Sequence, residues 1–337
     1  MSVKRHHLTW RLVACAPVVL LAAGSAMILQ QPAGDPPPAL ARADRAPRGP
    51  VEAEMRNVRY HAAPGVVLRV RFLRGTLART SRDSPPWFED PNSFVIAIDT
   101  AEVAITPASL TALLNDHTFA YKGSPLRHLE VDIEDGQLKQ EGTLNKLIDL
   151  PFTIRATISA TRDGRLRLHP TSVKVVGIPV RRLMDFFGVE LDDLVKVRQG
   201  RGIEVVENDF ILAPGGLLPP PQISGRVIAV GIYRGEIRQI FGSSNRPAPL
   251  PIMHPPDTAA ANYMYFQGSV LRFGKLSMVE TDLQIVDGDP DDAFDVFLAQ
   301  LNRQLSAGFS VNQPDFGVVT TMPDYADIAG SGAPAGR

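Results

Sequence analysis

The chain has almost no cysteine: Cys15, near the N-terminus, is the only one among 337 residues. The body therefore has no disulfide, no thiol nucleophile and no thiolate metal ligand. It also lacks a strong charge. A formal net charge of −1 offers no electrostatic footprint for nucleic acid, and no nucleic-acid partner is expected. The signatures of common chemistries are missing as well. There is no Gly-x-Ser-x-Gly elbow. His61, His117, His128, His169 and His254 are scattered, without the His-x-x-x-His spacing that starts a zinc site. Gly200-Arg201-Gly202 lacks the third glycine of a dinucleotide loop. No cofactor is expected and no catalytic residue is assigned.

The N-terminus is informative. Lys4, Arg5 and Arg11 precede an uncharged, mostly apolar run from Leu12 to Leu29. Ala39, Ala41 and Ala43 supply small residues for cleavage. At 18 residues the run is also just long enough to span a bilayer, which takes about 17–25 residues. Residues 1–43 read either as a cleaved export signal or as an inner-membrane anchor (residues 12–29) with a tether. The basic flank keeps the N-terminus inside, so the body is expected in the periplasm.

Composition elsewhere is that of a folded domain, with 44% apolar and 21% charged residues. From Val51 the pattern alternates with period two, as half-buried strands do. Asp135-Gly136 and Asp163-Gly164 sit between alternating runs and predict hairpins. Strands are expected at Leu129–Glu134, Gln137–Leu147, Phe152–Thr161 and Leu166–Val176. Thr106-Pro107 predicts a helix start, with a capping hydroxyl followed by a first-turn proline. Further helices are expected at Val180–Phe187, Leu191–Val197 and Ala293–Leu305. The fold class is α+β: a long, twisted antiparallel meander curled around a few short amphipathic helices. Residues 51–242 are expected to form the main β-rich domain. Residues 243–260 are expected to be a Pro/Ser-rich linker. Residues 261–312 should form a hairpin and helix packing on the main sheet, and residues 313–337 a disordered tail.

Three sets of residues are candidates for function. Leu110, Leu113, Leu114, Phe119, Phe152, Ile154, Leu183, Phe186 and Phe187 form either a packed core or an apolar groove for acyl chains. Arg69, Arg71 and Arg74 either solvate a sheet face and guard its edge or meet anionic head groups through their planar forks. Asp287, Asp289 and Asp291 alternate as calcium ligands can. Their spacing fails the EF-hand pattern, and capping of the expected helix is the stronger reading.

Residues 99–221 resemble the LmeA-like phospholipid-binding family of bacterial envelope proteins, which is related to tubular lipid-binding (TULIP) domains. The resemblance rests first on Thr106-Pro107-Ala108-Ser109-Leu110 with Leu113-Leu114, and on Leu129–Glu134 leading to Gly136. It continues through Leu150-Pro151-Phe152, Asp163-Gly164-Arg165-Leu166-Arg167-Leu168 and Gly177-Ile178-Pro179. It ends at Gly202-Ile203-Glu204-Val205 with Asn208-Asp209. It covers about a third of the chain and departs in the Arg-rich first strands and the 243–337 extension. It implies an elongated sheet curled around a helix, an apolar tunnel, and phospholipid binding in the periplasm.

The leading expectation is non-enzymatic binding or transfer of a phospholipid or other hydrophobic ligand, with lipid and membrane surface as partners. The alternative is an envelope-anchored scaffold with a packed core that binds protein partners along sheet edges.

Overall fold

A computed structural model describes residues 49–145, 149–176, 202–242, 253–314 and 317–329. The described part is mostly β-strand, with a curled half-barrel sheet and a few short helices. The first strands are long: β1 (Val51–Ala63), β2 (Val66–Arg79) and β3 (Phe94–Ile105). Helix α1 (Pro107–Leu113) follows, its last turn widening over Leu114–Thr118. Next come β4 (Leu126–Glu134), β5 (Gln137–Asn145), β6 (Asp149–Ala160), β7 (Leu166–Val175), β8 (Ile203–Val206) and β9 (Asp209–Leu212). A helical turn, α2 (Pro214–Leu217), leads to β10 (Gln222–Ser224), β11 (Val227–Tyr233) and β12 (Glu236–Phe241). The last third holds β13 (Tyr263–Gly268), β14 (Leu271–Phe273), β15 (Leu276–Met278), β16 (Thr281–Asp287) and β17 (Phe294–Phe297). It ends with α3 (Leu301–Ala307), β18 (Phe309–Asn312), β19 (Val318–Met322) and α4 (Tyr325–Ala329).

The expected single meander is two sheets plus a small hairpin. Strands β4-β5-β6-β7-β9-β8 form an all-antiparallel sheet of six. The larger sheet has eleven strands in the order β11-β12-β3-β2-β1-β13-β16-β19-β18, with β10 on β3 and β17 on β1. It is mixed, because β10, β17 and β19 pair in parallel. The length of β1 and β3 explains the branching. At about 3.3 Å per residue each is long enough for different neighbours at its two ends. Thus β13 pairs with Val51–Arg56, and β17 with the stretch from Val58 to His61.

Several local expectations match the structure. The Thr106 hydroxyl accepts the Ser109 N–H at 3.1 Å, with Pro107 in the first turn. Asp135 and Gly136 both take positive φ, as a type I′ hairpin requires. Phe94 to Ile105 forms one continuous strand.

The last third differs most. Residues 261–312 do not pack on the main sheet as a separate hairpin and helix. Their strands β13 and β16 continue that sheet edge to edge from β1. The helix expected at Ala293–Leu305 begins as strand β17, and only Leu301–Ala307 is α-helical. All four β17 residues are buried, so no solvent face remains for a surface helix. The expected tail carries β19 and α4, because β16 offers Val318–Met322 a parallel partner. The helices expected at Val180–Phe187 and Leu191–Val197 lie outside the described residues. So does the N-terminal segment. Among the described residues no helix is long and apolar enough to cross a membrane.

The two sheets share one apolar core. Val131, Leu138 and Leu166 of the smaller sheet join Val70, Ile105 and Phe266 of the larger in one buried cluster. Side chains of α1 and its following turn fasten the two together. Val67 N–H donates to Ser109 Oγ at 3.2 Å, and Val131 N–H to Thr111 Oγ1 at 2.9 Å. Asn115 Nδ2 donates to the Leu129 carbonyl at 2.7 Å while Asn115 Oδ1 accepts the Leu129 N–H at 3.0 Å. The outer edge of β4, which would otherwise be free to pair, is thereby occupied.

Candidate functional site

Where the sheets face each other, the core is incompletely filled. A cavity of about 110 Å³ opens there. One wall is the inward row of β1, β2, β3 and β12, including Leu68, Val70 and Ile237. The other is built from β5, β6, β7 and β9, including Leu138, Ile158 and Leu168. Leu110 and Leu113 of α1 line it too, as do Leu217, Leu218 and Ile223 around α2. Among the described residues the lining contains no charged side chain; Tyr60 and Gln239 are its polar members. A second void of about 20 Å³ lies beside the first and shares Met55, Tyr60 and Ile96 with it.

The cavity follows from alternation. Leu68 and Val70 point inward on β2, so Arg69 and Arg71 point outward. Leu73 resumes the inward row after a bulge, and Arg74 falls outside. The candidate head-group arginines therefore lie on the face opposite the cavity. Each is paired with carboxylate: Arg69 with Glu236 at 2.8 Å, Arg71 with Glu102 at 3.5 Å, and Arg74 with Glu52 and Glu54 at 3.8 and 3.7 Å. Arg69 and Arg71 remain 58% and 73% exposed, so their pairs contribute little and leave the guanidinium groups open to water.

The candidate groove residues divide. Leu110 and Leu113 reach the cavity. Phe119, Phe152 and Ile154 belong instead to a separate apolar cluster with Leu129, Leu144 and Val175 on the smaller sheet. Leu114 packs against both clusters. Leu183, Phe186 and Phe187 lie outside the described residues.

Reading single residue types missed Tyr60 and Gln239, although a signal existed. Tyr60 occupies an inward position of β1, between the charged or polar neighbours Arg59 and His61 and in phase with Val58. A lone phenol in an apolar row is the trace such a site leaves. The Tyr60 hydroxyl and Gln239 Oε1 are both buried without a hydrogen-bond partner among the described residues. Burial pushes the Tyr60 phenol up, so it stays protonated and remains a donor.

The acidic segment Asp287–Asp292 caps no helix, since a strand follows it. Asp287 is buried; one of its oxygens accepts the Asp289 N–H at 2.9 Å and the other an Asn262 amide hydrogen at 3.1 Å. Asp289 accepts the Asp291 N–H at 3.3 Å. These carboxylates shape their own loop and do not converge as ligands. Nearby, Arg59 faces Asp292, Asp295 and Asp324 at 3.1, 3.8 and 3.6 Å, and His61 Nε2 lies 2.5 Å from Asp295 Oδ1.

Burial pushes the Asp324 carboxyl up to about 6; the Asp295 N–H that it accepts opposes this, while Asp287, Asp292 and Asp295 add to the rise. Asp287 is raised as well, chiefly by burial. A group whose folded pKa is raised binds its proton more readily in the folded state, so stability grows as pH falls through that pKa. The window runs from about 6 down to the ordinary carboxylate range near 4. Asp324→Asn keeps the acceptor for Asp295 and removes the charge. It is expected to raise the melting temperature near neutral pH and to flatten the gain seen on acidification. A variant as pH-dependent as the wild type would refute this. Exposed Glu134, held low by the Lys139 hydrogen bond, has the opposite sign but carries little weight at the surface.

Comparison of the chain with protein-family models, with curated proteins and with solved structures found no match.

Proposed function

We propose that this protein binds or carries a lipid in the bacterial cell envelope, without catalysing a reaction, and that the cavity between its two sheets receives the apolar part. The observation that carries the reading is that cavity: about 110 Å³, walled by aliphatic side chains of both sheets and α1. Its size is near the roughly 150 Å³ of an engineered apolar cavity that admits benzene, and below the 300–1,000 Å³ typical of ligand pockets. As it stands it takes a small apolar molecule or the end of an acyl chain. A longer chain enters if the sheets part at their apolar seam. Each methylene buried there contributes about 0.8 kcal/mol.

The resemblance of residues 99–221 to the LmeA-like family supports the same reading. So does the N-terminal segment, which suits export and retention at the inner membrane. Arg69 and Arg71 face away from the cavity, and their role is docking to an anionic membrane surface rather than holding a lipid inside. Mass spectrometry of lipids co-purifying with the full chain, prepared without detergent from a bacterial host, tests the reading. Stoichiometric lipid is expected. A lipid-free, monodisperse protein that also takes up no added lipid would sink it.

One observation favours a second reading, a scaffold that binds protein partners. Strand β18 stands at the edge of the large sheet with all four residues exposed. Phe309 and Val311, 63% and 49% exposed, share one of its faces. A lipid-free protein would turn the search for partners to this edge.

A further inference from the structure

Two unpartnered polar atoms set the chemistry of the cavity more narrowly than its volume does. Tyr60 is 8% exposed, and its hydroxyl has no partner among the described residues. Gln239 Oε1 is buried and equally alone. Such groups lose water on folding and regain nothing, which destabilises the protein without a ligand. A trapped water is a weak remedy, because an ordered buried water typically makes about three hydrogen bonds and two is the bottom of its range. The smaller void offers it only Tyr60 among its lining residues, and the larger only Tyr60 and Gln239.

The register places both groups on one face. Tyr60 pairs with Leu68, Leu68 with Ile105, and Ile105 with Ile237. Gln239 is two residues along β12 from Ile237, on the same side. Three strand steps of about 4.8 Å across the sheet and a two-residue offset of about 6.6 Å along β12 separate the two backbones. Both side chains line the same cavity, so a single ligand that answers both carries its polar groups spaced apart along one end. The ligand must offer an acceptor to the phenol and a donor to the amide oxygen. It must also be uncharged where it meets them, because no lining residue among those described is charged. A phosphate or ionised carboxylate there would be a buried charge without a counterion.

Resting on the lipid-carrier reading above, we propose that the cavity selects an uncharged acylglycerol. The Tyr60 hydroxyl donates to its ester oxygen, Gln239 Oε1 accepts from its free hydroxyl, and the acyl chain lies among the aliphatic walls.

The test compares monodecanoylglycerol with decane, read as the shift each produces in the thermal unfolding of the full chain. Wild type should bind the glyceride more tightly. Tyr60→Phe and Gln239→Leu should each weaken glyceride binding about three- to tenfold, the range of a single hydrogen bond, and leave decane binding unchanged. Neither variant should be less stable than wild type without ligand, since each deletes an unsatisfied group. A merely structural role would not separate the two probes. Equal binding of both probes by wild type, or a preference that survives both substitutions, overturns the assignment while leaving a lipid carrier standing. If neither probe binds at all, the carrier reading itself falls. Should one variant fail to fold, the other and the wild-type comparison still decide.

Discussion

Replacing Gln304 by leucine is expected to destabilise the protein by about 3–6 kcal/mol, enough to leave much of it unfolded at moderate temperature. Gln304 is completely buried, yet every polar atom of its amide is used. Its Nε2 donates to the carbonyls of Asp295 and Pro323 at 2.8 and 3.1 Å, and its Oε1 accepts the Phe297 N–H at 3.0 Å. One edge of β17 is paired with β1. On its other side Gln304 and Asp324 take the place of a neighbouring strand, with Asp324 accepting the Asp295 N–H at 2.8 Å. Leucine is close in size and fills the same space. It leaves the Phe297 N–H and the Asp295 carbonyl buried without partners, at about 1–3 kcal/mol each, and the part-buried Pro323 carbonyl at a smaller cost. Against a typical total of 5–15 kcal/mol, that is a large share. Urea unfolding would measure the loss, and hydrogen exchange at Phe297 would localise it. A loss under about 1 kcal/mol would mean that the β17 edge finds other partners and that Gln304 does not hold it.

Leu113→Arg is expected to destabilise by about 3 kcal/mol or more and to abolish lipid retention. Leu113 is 3% exposed and stands where α1 meets the cavity. An arginine there must either hold its charge among aliphatic side chains or draw α1 away from β2 and β4. The first leaves a buried charge with no partner. The second breaks the contacts of Ser109, Thr111 and Asn115 that bind α1 to both sheets. Leu113→Met is the control: it conserves volume and apolarity and should cost under about 1.5 kcal/mol with lipid retained. A Leu113→Arg protein that keeps both its stability and its lipid would place the binding site elsewhere. The separate cluster around Phe152 would then be the next place to look.

Much of the local structure was legible because it depends on neighbours in sequence. Thr106-Pro107 starts a helix through contacts within one turn. Asp135-Gly136 makes a tight hairpin because both residues tolerate positive φ. The alternation of Leu68 and Val70 with Arg69 and Arg71 determined which face of β2 is apolar, whatever covers it. Strands β4 to β7 follow one another closely, so their pairing could be read from hairpins; β9, which pairs with β7 ahead of β8, could not.

Only the tertiary structure decided the rest, because the deciding partners are distant. Phe294, Phe297, Leu298, Leu301 and Leu305 have helical spacing, yet the first two belong to a strand. β1 continues past Arg56, where β13 stops, and its open edge takes Phe294–Phe297 in parallel. The backbone bonds gained there outweigh a weak local preference for helix. Val318–Met322 lies in a Gly- and Pro-rich end and becomes ordered because β16 supplies an edge. The cavity was equally invisible, since its walls come from two sheets and its polar pair from β1 and β12. By itself the sequence determined that the protein would be rich in strands, with one apolar face to each. The folding of one sheet against the other decided where those faces meet imperfectly, and that gap is the candidate site.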